Sequence, residues 1–82
     1  MFLFSLVEPV NFRDEKILVS FGKNLQRLRR NSKFTQEELA YVSGLSLSQI
    51  ARMETGKVNP TVCSLIVIAK TLKIPQKDLL DF

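Results

Sequence analysis

Apolar residues recur along the chain at spacings of three and four with polar residues between them, the pattern of helices that each bury one face. Ile17, Leu18, Phe21, Leu25 and Leu28 fall into that register and predict a first helix from about Asp14 to about Ser32. Thr35 and Glu38 then form a capping box, with Phe34 and Leu39 placed as a hydrophobic staple around it. Ser46 and Gln49 form a second box with Leu45 and Ile50 as its staple, and Gly44 between the two supplies the left-handed conformation that ends one helix and turns the chain sharply. Two short helices are therefore predicted to meet across a tight corner. Pro60 and Thr61 open a fourth helix, running to about Leu72, with Leu65, Ile68, Ala69 and Leu72 facing inward. Pro75 suits the first turn of a fifth, short helix that seats Leu79 beneath the core.

Composition supports an all-α fold: the 82 residues contain no tryptophan, three glycines and three prolines, and are rich in Leu, Ile, Lys, Gln and Glu. That length predicts one domain, residues 14–82, with no separate sensor domain, preceded by an apolar amino-terminal arm, residues 1–13, punctuated by Pro9 and Asn11. The stretch from Met1 to Val7 is too short to span a bilayer and lacks a basic leader and a small-residue cleavage site, so neither anchor nor signal is expected. Its apolar side chains are expected to be covered by a partner subunit or by the base of the helical core. A chain this small builds a modest core, which makes self-association a reasonable expectation.

The formal net charge is +4, and Lys23, Arg27, Arg29, Arg30 and Lys33 follow one another with no acid between them. An anionic partner and a solvated helix face both fit that run. Cys63 is the sole cysteine and histidine is absent, which excludes an internal disulfide, a zinc cluster and a cysteine–histidine catalytic pair, and favours a reducing compartment such as the cytoplasm. No nucleophile–base pair, glycine-rich phosphate loop or effector site is evident, so no enzyme activity, cofactor or small-molecule ligand is expected.

Function is carried by Gln36 to Met53, QEELAYVSGLSLSQIARM, in which Leu39, Ala40, Leu45, Ile50 and Met53 are sized and spaced to point inward. The helix from Ser46 to about Thr55 would then stand out from the body, where its first turns can enter a major groove wide enough for one helix. With TQEELA, the turn glycine and the Glu54-x-Gly56 pattern, the chain from about Gly22 to Leu80 resembles the five-helix, lambda-repressor-like domain of the Xre, Cro and phage-repressor family. The resemblance implies a sequence-specific DNA-binding transcriptional regulator that reads operator half-sites as a homodimer. Lys33 and Lys73 depart from the family pattern, standing where a glycine commonly ends the preceding helix, so strain or a different turn is expected at both. Leu47, Ser48, Gln49 and Arg52 fall where that family reads bases, with Gln49 and Ser46 suited to base or phosphate. Gln36, Ser46, Lys57, Asn59, Lys23 and Asn24 would hold phosphates, and Gln36 would also brace the recognition helix with its amide. Arg29 and Glu54 match a structural ion pair, and Val62, Ile66, Val67, Leu80 and Phe82 remain as candidates for a dimer interface or as ordinary surface scatter. The LAYVSG wording and the length also resemble controller proteins of restriction-modification systems. A rival from another class, an antitoxin-type protein-interaction module with secondary DNA binding, is kept open by the apolar arm.

Overall fold

Each of the five chain segments with helical character contributes one fully buried aliphatic side chain to a common centre: Leu25, Leu39, Ile50, Ile68 and Leu79. The computed structural model describes residues 9–82, and its elements are α1 (Glu15–Asn31), α2 (Gln36–Ser43), α3 (Leu47–Glu54), α4 (Val62–Leu72) and a short 3-10 helix (Gln76–Leu80). No strand occurs among the described residues. Residues 1–8 of the expected apolar arm lie outside them, and so does the expected covering of that arm.

The helix starts follow from local chemistry. Asp14 caps α1, its carboxylate accepting from the amides of Lys16 at 2.9 Å and Ile17 at 3.4 Å. Glu15 in the first turn and Arg29 and Arg30 in the last turn complement the helix dipole. Both expected capping boxes are formed. The Thr35 amide donates to the Glu38 carboxylate at 2.9 Å while Thr35 Oγ1 accepts from the Glu38 amide at 3.0 Å. That backbone hydrogen bond first, and the threonine side chain second, hold the Glu38 carboxyl below its ordinary pKa. At α3 the Ser46 amide donates to Gln49 Oε1 at 2.8 Å and the Gln49 amide to Ser46 Oγ at 3.0 Å. With eight residues each, α2 and α3 are too short to persist alone, so their caps and their buried faces decide whether they form.

Gly44 adopts φ 80° between them, which turns α3 across α2. Phe34 and Leu45, the outer members of the two staples, pack against the core beside Val58, Leu65 and Ile74. Lys33 and Lys73 both take left-handed backbone, at φ 67° and 58°, so the strain expected from the missing glycines is present at both helix ends.

Two expectations are corrected. Ile17 is 54% exposed: it shares the angular stripe of Leu18, Phe21 and Leu25 but sits in the first turn of α1, where no described residue covers it. The fifth segment is a 3-10 helix of five residues rather than an α-helix. Its carbonyls at Asp78 and Leu79 are taken by Asn24 Nδ2, at 2.8 and 3.1 Å, so a side chain from α1 satisfies backbone groups that a longer α-helix would have bonded internally.

Gly22 sets how closely α1 and α3 approach. A Cβ built there would lie 2.5 Å from the Glu54 carbonyl oxygen and 2.6 Å from that of Met53. Both obstacles are backbone, so neither can swing away. Gly22→Ala is therefore expected to lower stability by about 2–3 kcal/mol, the usual size of an overpacking penalty, in chemical denaturation of the purified protein; an unchanged transition would show that the helices can separate freely. Lys73→Gly is expected to act in the opposite direction, raising stability by about 0.5–1 kcal/mol through relief of the left-handed strain, and thermal melting provides the comparison.

Candidate nucleic-acid interface

Glu54 ends α3, and its side chain is 1% exposed, so its negative charge must be met inside the protein. Arg29 from α1 meets it as a two-pronged pair, Nε to Oε2 at 2.6 Å and Nη2 to Oε1 at 3.1 Å, while Arg29 Nη1 donates to the Phe34 carbonyl at 2.8 Å. Gln36 Nε2 from α2 and Gln26 Nε2 from α1 add hydrogen bonds to Oε1 at 3.0 and 3.3 Å. One carboxylate thus ties α3 to α1, to α2 and, through Arg29, to the loop joining them. No buried side-chain polar atom among the described residues is left without a partner.

So anchored, α3 buries Ile50, Met53 and Glu54 and leaves Leu47, Ser48, Gln49 and Arg52 exposed. Ser48 and Arg52, four residues apart, share the middle of the exposed face one turn above each other. Leu47 lies at its edge, 43% exposed. Gln49 and Ser46 are exposed but partly spent, because the carbonyl oxygen of Gln49 and the hydroxyl oxygen of Ser46 already accept in the capping box. The Gln49 amide protons and the Ser46 hydroxyl proton stay free to donate.

Beside α3 a groove of about 330 Å³ opens toward the start of α4, and its lining includes Gln49, Arg52, Asn59, Thr61, Cys63 and Val67. Gln49 and Arg52, expected at bases, and Asn59, expected at phosphate, therefore border one depression. Thr61 caps α4, its hydroxyl accepting from the Ser64 amide at 3.1 Å. Lys57 and Asn59 are exposed on the loop between α3 and α4, and Lys23 is exposed on α1.

The remaining expected positions divide. Gln36 braces α3 as anticipated and, half-buried, keeps a second amide proton for another acceptor. Asn24 does not belong among the phosphate ligands: it is 6% exposed, its Nδ2 holds the 3-10 helix, and its Oδ1 accepts from Arg27 Nη2 at 2.7 Å. Val62 is 71% exposed and Ile66 half-buried on one flank of α4. Val67, about 100° further round the helix, lines the groove instead. Leu80 is 63% exposed, while Phe82, 53% exposed, rests edge-on against Phe21 with ring centroids 6.3 Å apart. Gln26, Gly22 and Arg13 escaped sequence reasoning. Their roles depend on which distant backbone or carboxylate they reach, and no local spacing encodes that.

An anchored, outward-facing helix across a tight turn from its support defines a helix-turn-helix protein. Residues 25–75 match the helix-turn-helix family HTH_3, and the chain belongs to that family. It is similar to the uncharacterized HTH-type transcriptional regulator y4dJ of Sinorhizobium fredii, at 40% identity over 71% of this chain and 75% of that protein. It is also similar to the control protein C.BamHI of Bacillus amyloliquefaciens, at 34% identity over 80% of this chain and 83% of that one. Among solved structures, the restriction-modification controller protein C.AhdI of Aeromonas hydrophila superposes with a TM-score of 0.74 at 35% identity, covering 76% of this chain and 94% of that one. The chain is accordingly a DNA-binding transcriptional regulator, and its relatives are regulators rather than enzymes. No helix among the described residues is long and apolar enough to cross a membrane.

Replacing either partner of the buried ion pair strands the other charge. Arg29→Ala and Glu54→Ala are each expected to cost about 3–5 kcal/mol, enough to unfold a domain of this size at moderate temperature, as read by circular dichroism melting. Normal melting of Arg29→Ala accompanied by lost DNA binding would instead move Arg29 from scaffold to interface.

Proposed function

We propose that this regulator acts in the cytoplasm as a homodimer that lays one α3 into each of two successive major grooves of an operator. One recognition helix of eight residues touches only a few base pairs, so useful discrimination needs two half-sites, about 34 Å or one helical turn apart. The observation that carries this reading is the exposed pair Ser48 and Arg52 on a helix whose other face is locked by Glu54. Arg52 can fork onto the O6 and N7 acceptors of a guanine, Ser48 can bond almost any base edge, and Leu47 can meet a thymine methyl. Gln36, Ser46, Gln49, Lys57, Asn59, Lys23 and the amides opening α4 are the groups suited to grip phosphates, fixing register without specifying sequence. The exposed Val62 and half-buried Ile66 on one flank of α4, together with the exposed Leu80, are the surface suited to the dimer contact.

The biological setting this reading favours is a restriction-modification operon. Its support is the likeness to C.BamHI and C.AhdI, which extends over 83% and 94% of those chains. Occupancy of the operator would block or recruit polymerase, and protein concentration would set the response.

Selection of binding sites from random duplexes at fixed ionic strength tests the assignment of Arg52. Arg52→Ala is expected to relax the preference at a single position of each half-site, with a loss of about 1–3 kcal/mol on the preferred duplex. Uniform weakening on all duplexes with a shallower salt dependence would make Arg52 a phosphate contact, and absence of any preference in the wild-type protein would sink the operator-binding reading itself.

A further inference from the structure

The loop from Thr55 to Pro60 carries Lys57 and Asn59, yet neither side chain is packed and the loop belongs to no helix. Val58 packs it against the core, and the start of α1 adds a second set of contacts. Gly56 lies directly on Val19: at φ 73°, a Cβ there would stand 2.8 Å from Val19 Cγ2 and 2.9 Å from its Cα and amide nitrogen. Arg13 Nη2 donates to the Lys57 carbonyl at 3.0 Å. Asn59 Nδ2 donates weakly to the Phe12 carbonyl at 3.5 Å. The segment leading into α1 is itself set, because Asn11 Oδ1 accepts from the Arg13 amide at 3.1 Å and Asp14 caps the helix that follows. The contacts of Arg13 and Phe12 with the loop cross sequence separations of 44 and 47 residues.

We propose that Arg13 is a positioning residue of the DNA interface: its guanidinium straps the Lys57 carbonyl to the start of α1, so that Lys57 and Asn59 are held ready for the phosphate backbone. The inference rests on the DNA-contacting role proposed for that loop and adds a residue outside the helix-turn-helix itself. A loop that must be ordered when DNA arrives loses part of the binding free energy to that ordering, and a strap already present in the free protein removes the loss. The carbonyl is a suitable handle, because bonding it leaves the lysine ammonium unencumbered. Gly56 allows the loop to lie close enough for that hydrogen bond, and its backbone conformation is one that side chains resist.

The test uses the full chain, a duplex selected by the wild-type protein and an unrelated duplex of the same length. Arg13→Ala is expected to weaken both interactions by about fivefold while leaving base preference unchanged, since only the backbone grip is affected. Melting temperature should hold, because Arg13 is exposed. In the free protein, hydrogen exchange should speed up at the amides of Gly56 and Lys57, which donate to the Met53 and Arg52 carbonyls in the last turn of α3. In the Lys57→Ala background, Arg13→Ala should cost clearly less than it does alone, because Asn59 is then the one side chain left for it to position; in the otherwise native chain, Arg13→Lys, which retains a donor, should recover most of the affinity. Unchanged exchange at Gly56 and Lys57, or full additivity with Lys57→Ala, would overturn positioning, the latter by making Arg13 a phosphate ligand in its own right. Equal binding by wild type and Arg13→Ala would overturn this proposal alone. A wild-type protein that binds no duplex would overturn the DNA reading and this proposal with it.

Discussion

Everything that makes α3 available to a partner depends on the carboxylate of Glu54 being satisfied out of water. An isolated buried carboxylate is prohibitively costly, and this one is compensated by a two-pronged arginine and two glutamine amides. Because the donors come from α1 and α2, the electrostatic requirement of one side chain becomes a geometric constraint on three helices. Gly22 completes the constraint from the opposite direction, letting the backbone of α1 touch the end of α3 at the level of Met53 and Glu54. Attraction and close approach act at the same point, so the angle of α3 is fixed where it leaves the body.

The same economy governs the short helices. Neither α2 nor α3 has the length to be stable alone, and each is assembled from a reciprocal cap, a staple and one or two buried aliphatic residues. Gly44 joins them at φ 80°, a left-handed conformation that a side chain would strain even though the space beside it is open. Cost appears elsewhere: Lys33 and Lys73 hold left-handed backbone that a glycine would accept more readily, and the fold tolerates both because caps and core are over-determined around them.

Most of this architecture was legible in the sequence because its signals are local. Capping boxes span four residues, staples six, and the turn glycine is a single position; each was found where expected, as was the Arg29–Glu54 pair implied by family resemblance. What could not be read depends on tertiary reach. Asn24 looks like a polar surface residue by composition, yet it is buried and bonds carbonyls 54 and 55 residues away. Ile17 has the periodicity of a core residue but lies beyond the neighbours that would cover it. Val67 follows Ile66 directly and shares its apolar character, but adjacent helical residues diverge by about 100° and the two line different surfaces. The candidate site divides in the same way: the exposed face of α3 follows from helix periodicity, whereas the docking of the Thr55–Pro60 loop on α1 has no sequence signature beyond Gly56.

On α3 the positions that maintain the helix and the positions turned outward are nearly disjoint sets. Ile50, Met53 and Glu54 face the body, and Ser46 with Gln49 is committed to the cap, which leaves Ser48 and Arg52 with no intramolecular duty. Given the base-reading role proposed for Ser48 and Arg52, descendants of such a gene can acquire new target preferences through changes at these two codons without first acquiring compensating ones. Drift at positions 46 and 49 is more tightly policed, since any altered contact there must be reconciled with how the helix begins.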